Sequence, residues 1–141
     1  MAAAQRPIEL IQARSLIATL SRAGFLVDEA GRLLFYNEPA ERLLGIRFED
    51  AGEMPPDDWG SRFRPREPGG RELEVEELPL TIALRDGLPG HAWMEITGAD
   101  GEDHQIAVSA IPIRGHGGQH GAFAIFWPTP TEYSHGCADP G

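Results

Sequence analysis

Three β-prone runs follow one another near the end of the chain, His91 to Thr97, His104 to Ile113 and His120 to Trp127, and only short turns separate them. The first joint, Ala99-Asp100-Gly101, holds an Asp-Gly pair of the kind that favours a tight reversal; the second is Gly115-His116-Gly117-Gly118. Strands joined so closely run antiparallel, because a parallel pair needs a crossover of roughly a dozen residues or more. A β pair also stands earlier in the chain, Gly24 to Asp28 and Arg32 to Tyr36, around the turn Glu29-Ala30-Gly31. Strands at both ends with helical patterns gathered between them predict an α+β fold, an antiparallel sheet with helices on one face.

The helical signals are local and specific. Asn37 is a plausible N-cap for a short helix from Glu38 to Leu44, with acids in its first turn and Gly45 to close it. Glu77 to Arg85 reads as a second helix, with Pro79 in its first turn and Gly87 just beyond. Before the first strand, Leu10, Ala13, Ile17 and Leu20 recur at intervals of three and four, predicting an amphipathic helix between Pro7 and Gly24. Such a stripe packs either on its own domain or on a second copy, and periodicity alone does not choose. Residues 46–76, rich in proline and glycine, predict turns and one-turn helices that Phe48, Trp59 and Phe63 anchor onto the core.

A chain of 141 residues accommodates one domain. Its net charge of -10, with all 12 basic residues arginine, argues against nucleic acid and anionic membrane surfaces as partners. The absence of lysine matches the coding bias of a GC-rich genome. No apolar run approaches the roughly 20 residues of a membrane span, and the first residues lack the pattern of a secretory signal. A single cysteine, Cys137, forms no internal disulfide. The expected compartment is the cytoplasm.

Three stretches, taken in order, resemble the PAS (Per-Arnt-Sim) family. Phe25-Leu26-Val27-Asp28-Glu29-Ala30-Gly31-Arg32-Leu33-Leu34-Phe35-Tyr36-Asn37 with Glu38-Pro39-Ala40-Glu41-Arg42-Leu43-Leu44-Gly45 is similar to the family's opening: hydrophobic strand, Asp-x-x-Gly turn, second strand, Asn and short helix. Glu77-Leu78-Pro79-Leu80, continuing to Leu84-Arg85-Asp86-Gly87, resembles its central helix. Ser109 to Ile113 and Gly121 to Trp127 resemble its last two strands. The resemblance covers a PAS domain over residues 22–127; the amphipathic helix occupies 1–21, and residues 128–141, turn-forming and polar, read as a flexible tail. The resemblance implies a five-stranded antiparallel sheet whose concave face and helices enclose a cavity, and a part in sensing, dimerisation or signal relay.

The family's known cofactors require particular side chains. Flavin-binding light sensors carry a cysteine in the helical middle, whereas Cys137 lies in the tail. Haem-binding sensors often use a histidine on the central helix; Leu78 to Asp86 holds none, and His91, just after it, reads as an ordinary surface residue. No cofactor is expected, a haem or flavin sensor being the alternative. His104, His116 and His120 lack a metal-site spacing and read as strand and turn residues. No nucleophile elbow, phosphate loop or His-Glu-x-x-His occurs, and Asp57-Asp58, Glu76-Glu77 and Asp103-His104 read as surface charge. The chain is read as no enzyme, one with an unrecognised site being the remaining alternative.

Alternation groups Met94 with Ile96, Ile106 with Val108 and Ala110, and Ala122 with Ala124 and Phe126, and the PAS resemblance implies that these sides face the cavity. With Phe25, Val27, Phe35, Leu44, Leu80 and Leu84 they form the expected cavity wall. Such a pocket suits a lipid-like or aromatic molecule, but the same residues make a filled core, which is the preferred reading. Phe123, Ile125 and Trp127 then face outward and need cover. The stripe of Leu10, Ala13, Ile17 and Leu20 provides it, within one chain or exchanged between two, forming a dimer contact. The expected partners are a second copy, a separate signalling effector and, in the second reading, a small apolar ligand.

Overall fold

The computed structural model describes residues 8–115 and 117–128. The segment read as a tail lies outside the described residues from 129 onward, and so does His116. In chain order the elements are α1 (Ile8–Thr19), β1 (Ala23–Asp28), β2 (Leu33–Tyr36), α2 (Glu38–Leu44), α3 (Phe48–Ala51) and α4 (Pro56–Arg62). A 3-10 turn (Val75–Glu77), α5 (Pro79–Asp86), β3 (Gly90–Thr97), β4 (Asp103–Gly115) and β5 (Gly118–Pro128) complete them. The five strands form one antiparallel sheet in the order β2-β1-β5-β4-β3. The hairpin β1-β2 and the meander β3-β4-β5 are therefore joined by β1 pairing with β5, from Ala23 opposite Phe126 to Asp28 opposite Gly121.

Local chemistry explains the boundaries. The Asp28 side chain accepts hydrogen bonds from the backbone N–H groups of Ala30 and Arg32, each at 3.0 Å, which closes the β1-β2 turn. Asn37 caps α2 through Ala40 N–H, and Gly45 ends it in the left-handed region at φ 75°. A side chain at Gly45 would also collide with Asp100 of the β3-β4 turn, 2.7 Å from the Cβ position. The predicted helix over Glu77 to Arg85 is split. Leu78 precedes proline and is driven to extended backbone (ψ 145°), so Glu77 belongs to the 3-10 turn and the α-helix begins at Pro79. Gly24 does not end the first helix; that helix stops at Thr19, and Gly24 sits within β1, where Ile17 packs against it.

Two layers cover the sheet. On the inner face, α2, α4 and α5 pack on Phe25, Val27, Met94, Ile106, Val108, Ala122, Ala124 and Phe126. On the outer face, α1 lays Leu10 and Ile17 over Leu26 and Leu34, with Ala13, Leu20, Phe35, Ile113 and Phe123 around them. Each fully buried side chain of that size contributes about 1.5–3 kcal/mol. The irregular stretch 46–76 does more than fill space, because it covers both edges of the sheet. Met54 exchanges backbone hydrogen bonds with Leu33 on β2 (2.7 and 3.2 Å), and Arg66 does so with Glu95 on β3 (2.9 and 2.8 Å). Exposed strand edges invite pairing with other chains, and this strap occupies them. Trp59 anchors it by donating its indole N–H to the Gly31 carbonyl at 2.8 Å.

Candidate functional site

Beneath the strap lies an apolar cavity of about 50 Å³. Of the residues expected at its wall, Phe25, Leu44, Leu80, Met94, Ile96, Ile106, Val108 and Phe126 line it. Val27, Ala110, Ala122 and Ala124 are fully buried in the same core without reaching the cavity, and Leu84 packs against that core half-buried. Trp59, Phe63, Pro65, Leu78 and Pro79 line it from the helical side. Trp59 and Phe63 are the expected anchors, whereas nothing in the irregular segment marks Pro65 as wall, and Leu78 and Pro79 at the start of α5 carry only a helix-start signal.

Phe35 is elsewhere. It belongs to the outer cluster under α1, with the Arg14 guanidinium carbon 4.5 Å from its ring centre. The reason is a bulge: β2 pairs Phe25 with Tyr36 and Leu26 with Phe35, but Val27 with Leu33, leaving Leu34 as an extra residue. One inserted residue reverses the alternation beyond it, so Phe35 turns out and Tyr36 turns in. Tyr36, fully buried, stacks with Phe25 (ring centres 5.3 Å apart) and donates its hydroxyl to the Ile46 carbonyl at 2.8 Å. Burial, with help from Glu41, pushes its phenol up to about 12. It is a neutral hydrogen-bond donor at any physiological pH.

The cavity's walls carry no hydrogen-bonding side chain among the described residues apart from the indole of Trp59, which is committed to Gly31. Drug- or cofactor-sized sites need roughly 300–1,000 Å³. Neither a flavin nor a haem fits a space of about 50 Å³, and α5 offers no histidine or cysteine toward either group. The volume admits a few heavy atoms at most, so this core is close to filled.

The outer face has the opposite character. The apolar stripe Leu10, Ala13, Ile17 and Leu20 lies on the chain's own sheet and covers Phe123. That cover stops short. Ile125 and Trp127, expected beneath the helix, are half-exposed beside it, as are their neighbours in register: Trp127 opposite Ala107 opposite Trp93, and Ile125 opposite Ser109 opposite His91. Trp93 is 58% exposed and Ile111 36%. Helix α1 is also apolar on its far side, where Ile8, Ile11 and Leu16 are 63%, 54% and 57% exposed. None of the three belongs to the stripe of Leu10, Ala13, Ile17 and Leu20.

Of the three histidines weighed as metal ligands, His116 lies outside the described residues, and His104 and His120 do not converge. His104 is on the inner side of β4 opposite Ile96, at the far end of the β4-β5 ladder from His120, which lies 3.5 Å from Glu9 of α1. His91 accepts or donates one hydrogen bond, 2.9 Å from Nδ1 to the Ser109 hydroxyl.

A five-stranded sheet of this order, with helices and a small cavity on its inner face and an N-terminal helix on the other, is the fold of a PAS domain. Solved structures bear out that likeness. The PAS domain of a protein from Colwellia psychrerythraea is 20% identical with a TM-score of 0.62, over 85% of this chain and 96% of that one. The LOV protein of Rhodobacter sphaeroides is 16% identical with a TM-score of 0.67, over 89% and 70%. The PAS domain of BvgS from Bordetella pertussis is 16% identical with a TM-score of 0.56, over 86% and 85%. No family model and no curated protein matches the sequence. The described helices include none long and apolar enough to cross a membrane.

Proposed function

We propose that this chain is a sensory and signal-relay module of the PAS type that acts as a homodimer and passes its state to a separate effector protein. One observation carries the reading: in a chain of net charge -10 the outer face keeps a run of apolar side chains in solvent, and Glu95 at its border is paired with Arg66 at 3.7 Å. That face comprises Trp93, Ala107, Ile111, Ile125 and Trp127 of the sheet and Ile8, Ile11 and Leu16 of α1. Single exposed apolar residues are ordinary, but a contiguous patch is characteristic of a contact surface. Trp93 at 58% and Ile111 at 36% exposure leave apolar area on the sheet that a second copy would bury. A second copy suits it because this is the face on which two acidic molecules meet without opposing their charges. The solved neighbours that support a signalling role include a PAS domain from a two-component sensor histidine kinase, 12% identical with a TM-score of 0.52.

Light scattering on the eluting protein is expected to give twice the 15.4 kDa chain mass, and Trp93→Glu with Ile11→Glu to return it to monomer. A strict monomer at high protein concentration would exclude the dimer. A second reading, gating by a small apolar ligand, rests on the cavity of about 50 Å³. Native mass spectrometry and a visible absorption spectrum of freshly purified protein test it. A bound mass or a visible band would support it, and a colourless protein at its bare mass would favour the filled core.

A further inference from the structure

We infer that the apolar outer face closes on a second copy only while His91 is uncharged, so that acid separates the dimer. The inference rests on the dimer reading above and adds its regulation. His91 opens β3 and is exposed on the outer face, in register with Ser109 and Ile125. It is the one titratable side chain among the described residues in the block formed by Trp93, Ala107, Ser109, Ile111, Ile125 and Trp127.

Among the described residues, the charged groups on the elements around His91 are engaged with other partners. On β3 the next outward side chain after Trp93 is Glu95, already committed to Arg66 at 3.7 Å and to Gln105 at 3.2 Å. On β4 the neighbours are Ala107, Ser109 and Ile111, and on β5 Ile125. The segment before β3 ends in the mutual pair Arg85–Asp86 (3.2 Å), and Arg114 is bonded to the Gly87 carbonyl at 2.7 Å. From α1 the outward residues are Ile8, Ile11, Gln12, Ser15, Leu16 and Thr19, with Arg14 held over the Phe35 ring. A second copy brings the same set, because a two-fold contact repeats one surface on both sides. The single hydrogen bond to Ser109 serves either protonation state, since a hydroxyl both donates and accepts.

Burying a cation against that surface carries a desolvation cost with no ion pair to offset it. The sign follows. The dimer requires neutral imidazole, so association is complete at high pH and is lost as each copy takes up a proton. Histidine is the side chain whose charge changes between about pH 5 and 8, and two copies square the effect. Lowering the pH from about 8 to about 5.5 then weakens self-association about 100-fold.

Sedimentation velocity of the full chain over that range tests the inference, alongside His91→Gln, which keeps a hydrogen-bonding group for Ser109 but takes no proton. The expected result is a dissociation constant that rises about 100-fold in the wild type and stays constant in the variant. A wild-type dimer equally tight at both ends of the range would overturn the role of His91 and leave the dimer standing. Equal weakening of both proteins would assign the effect to another group and overturn it as well. A wild type that is monomeric at about pH 8 would remove the dimer reading itself, and this inference with it.

Discussion

Asn37 is the sole buried polar residue of the described core, 2% exposed, and all of its amide capacity is used. Its Oδ1 accepts from Gly24 N–H at 3.0 Å and from Ala40 N–H at 3.1 Å; its Nδ2 donates to the carbonyls of Ile17 and Arg22, both at 2.8 Å. One side chain thus joins the end of α1, the start of β1 and the cap of α2. Asn37→Ala removes an N-cap, about 1 kcal/mol, and leaves the buried Gly24 N–H without a partner at about 1 kcal/mol or more, while the Ile17 carbonyl keeps its bond from Leu20 N–H at 3.1 Å. The Arg22 carbonyl is only partly buried and recovers water. The sum is about 2 kcal/mol, a large share of the roughly 5–15 kcal/mol that holds a domain folded. Asn37→Ser retains a capping oxygen but cannot reach α1, so it should recover about 1 kcal/mol of that loss. Urea unfolding followed by circular dichroism measures both, and amide exchange along α1 should quicken in both. A cost below about 1 kcal/mol for the alanine variant, or no difference between serine and alanine, would refute the network argument.

Three further outcomes are expected. The Tyr36 phenol, raised to about 12 by burial, favours its neutral form in the folded state, so its contribution is full below the unfolded value of about 10 and is lost as pH rises through 12. An ultraviolet titration should therefore show one late phenol that Tyr36→Phe abolishes; ionisation of both tyrosines near 10 would contradict it. Gly121→Ala should destabilise by more than about 2 kcal/mol, because the new methyl runs into the Val27 carbonyl oxygen and lies 3.0 Å from Leu10 Cδ2, and a melting temperature unchanged from wild type would show the fit to be looser than drawn. Val108→Ile adds one methylene toward the cavity of about 50 Å³ and should stabilise by about 0.5–1 kcal/mol in thermal unfolding, whereas destabilisation would mean that the space is not free to be filled.

Much of the fold is legible in the chain because the signals are local. The turns at Glu29-Ala30-Gly31 and Ala99-Asp100-Gly101, the Asn37 cap and the Gly45 and Gly87 terminators each act within a few residues. The long apolar alternation of β4 and β5 then leaves one antiparallel arrangement open to them. The sequence by itself thereby determined the strand succession and the approximate places of α1, α2 and α5. Its local rules also failed locally: nothing around Leu34 announces the bulge that sends Phe35 out and Tyr36 in, since a bulge is decided by how β1 and β2 register against each other.

Tertiary structure alone decided the rest. Helix α1 is apolar on both sides, and only its docking on Leu26 and Leu34 makes Leu10 and Ile17 core while leaving Ile8, Ile11 and Leu16 exposed. The proline-rich stretch 46–76 has no period to read, yet it covers both sheet edges through Met54 and Arg66, contacts that exist only once the sheet does. Cavity size is likewise a small difference between large volumes, the space between sheet and helices less the side chains that fill it. Residue type names an apolar wall, but three-dimensional packing leaves only about 50 Å³ within it.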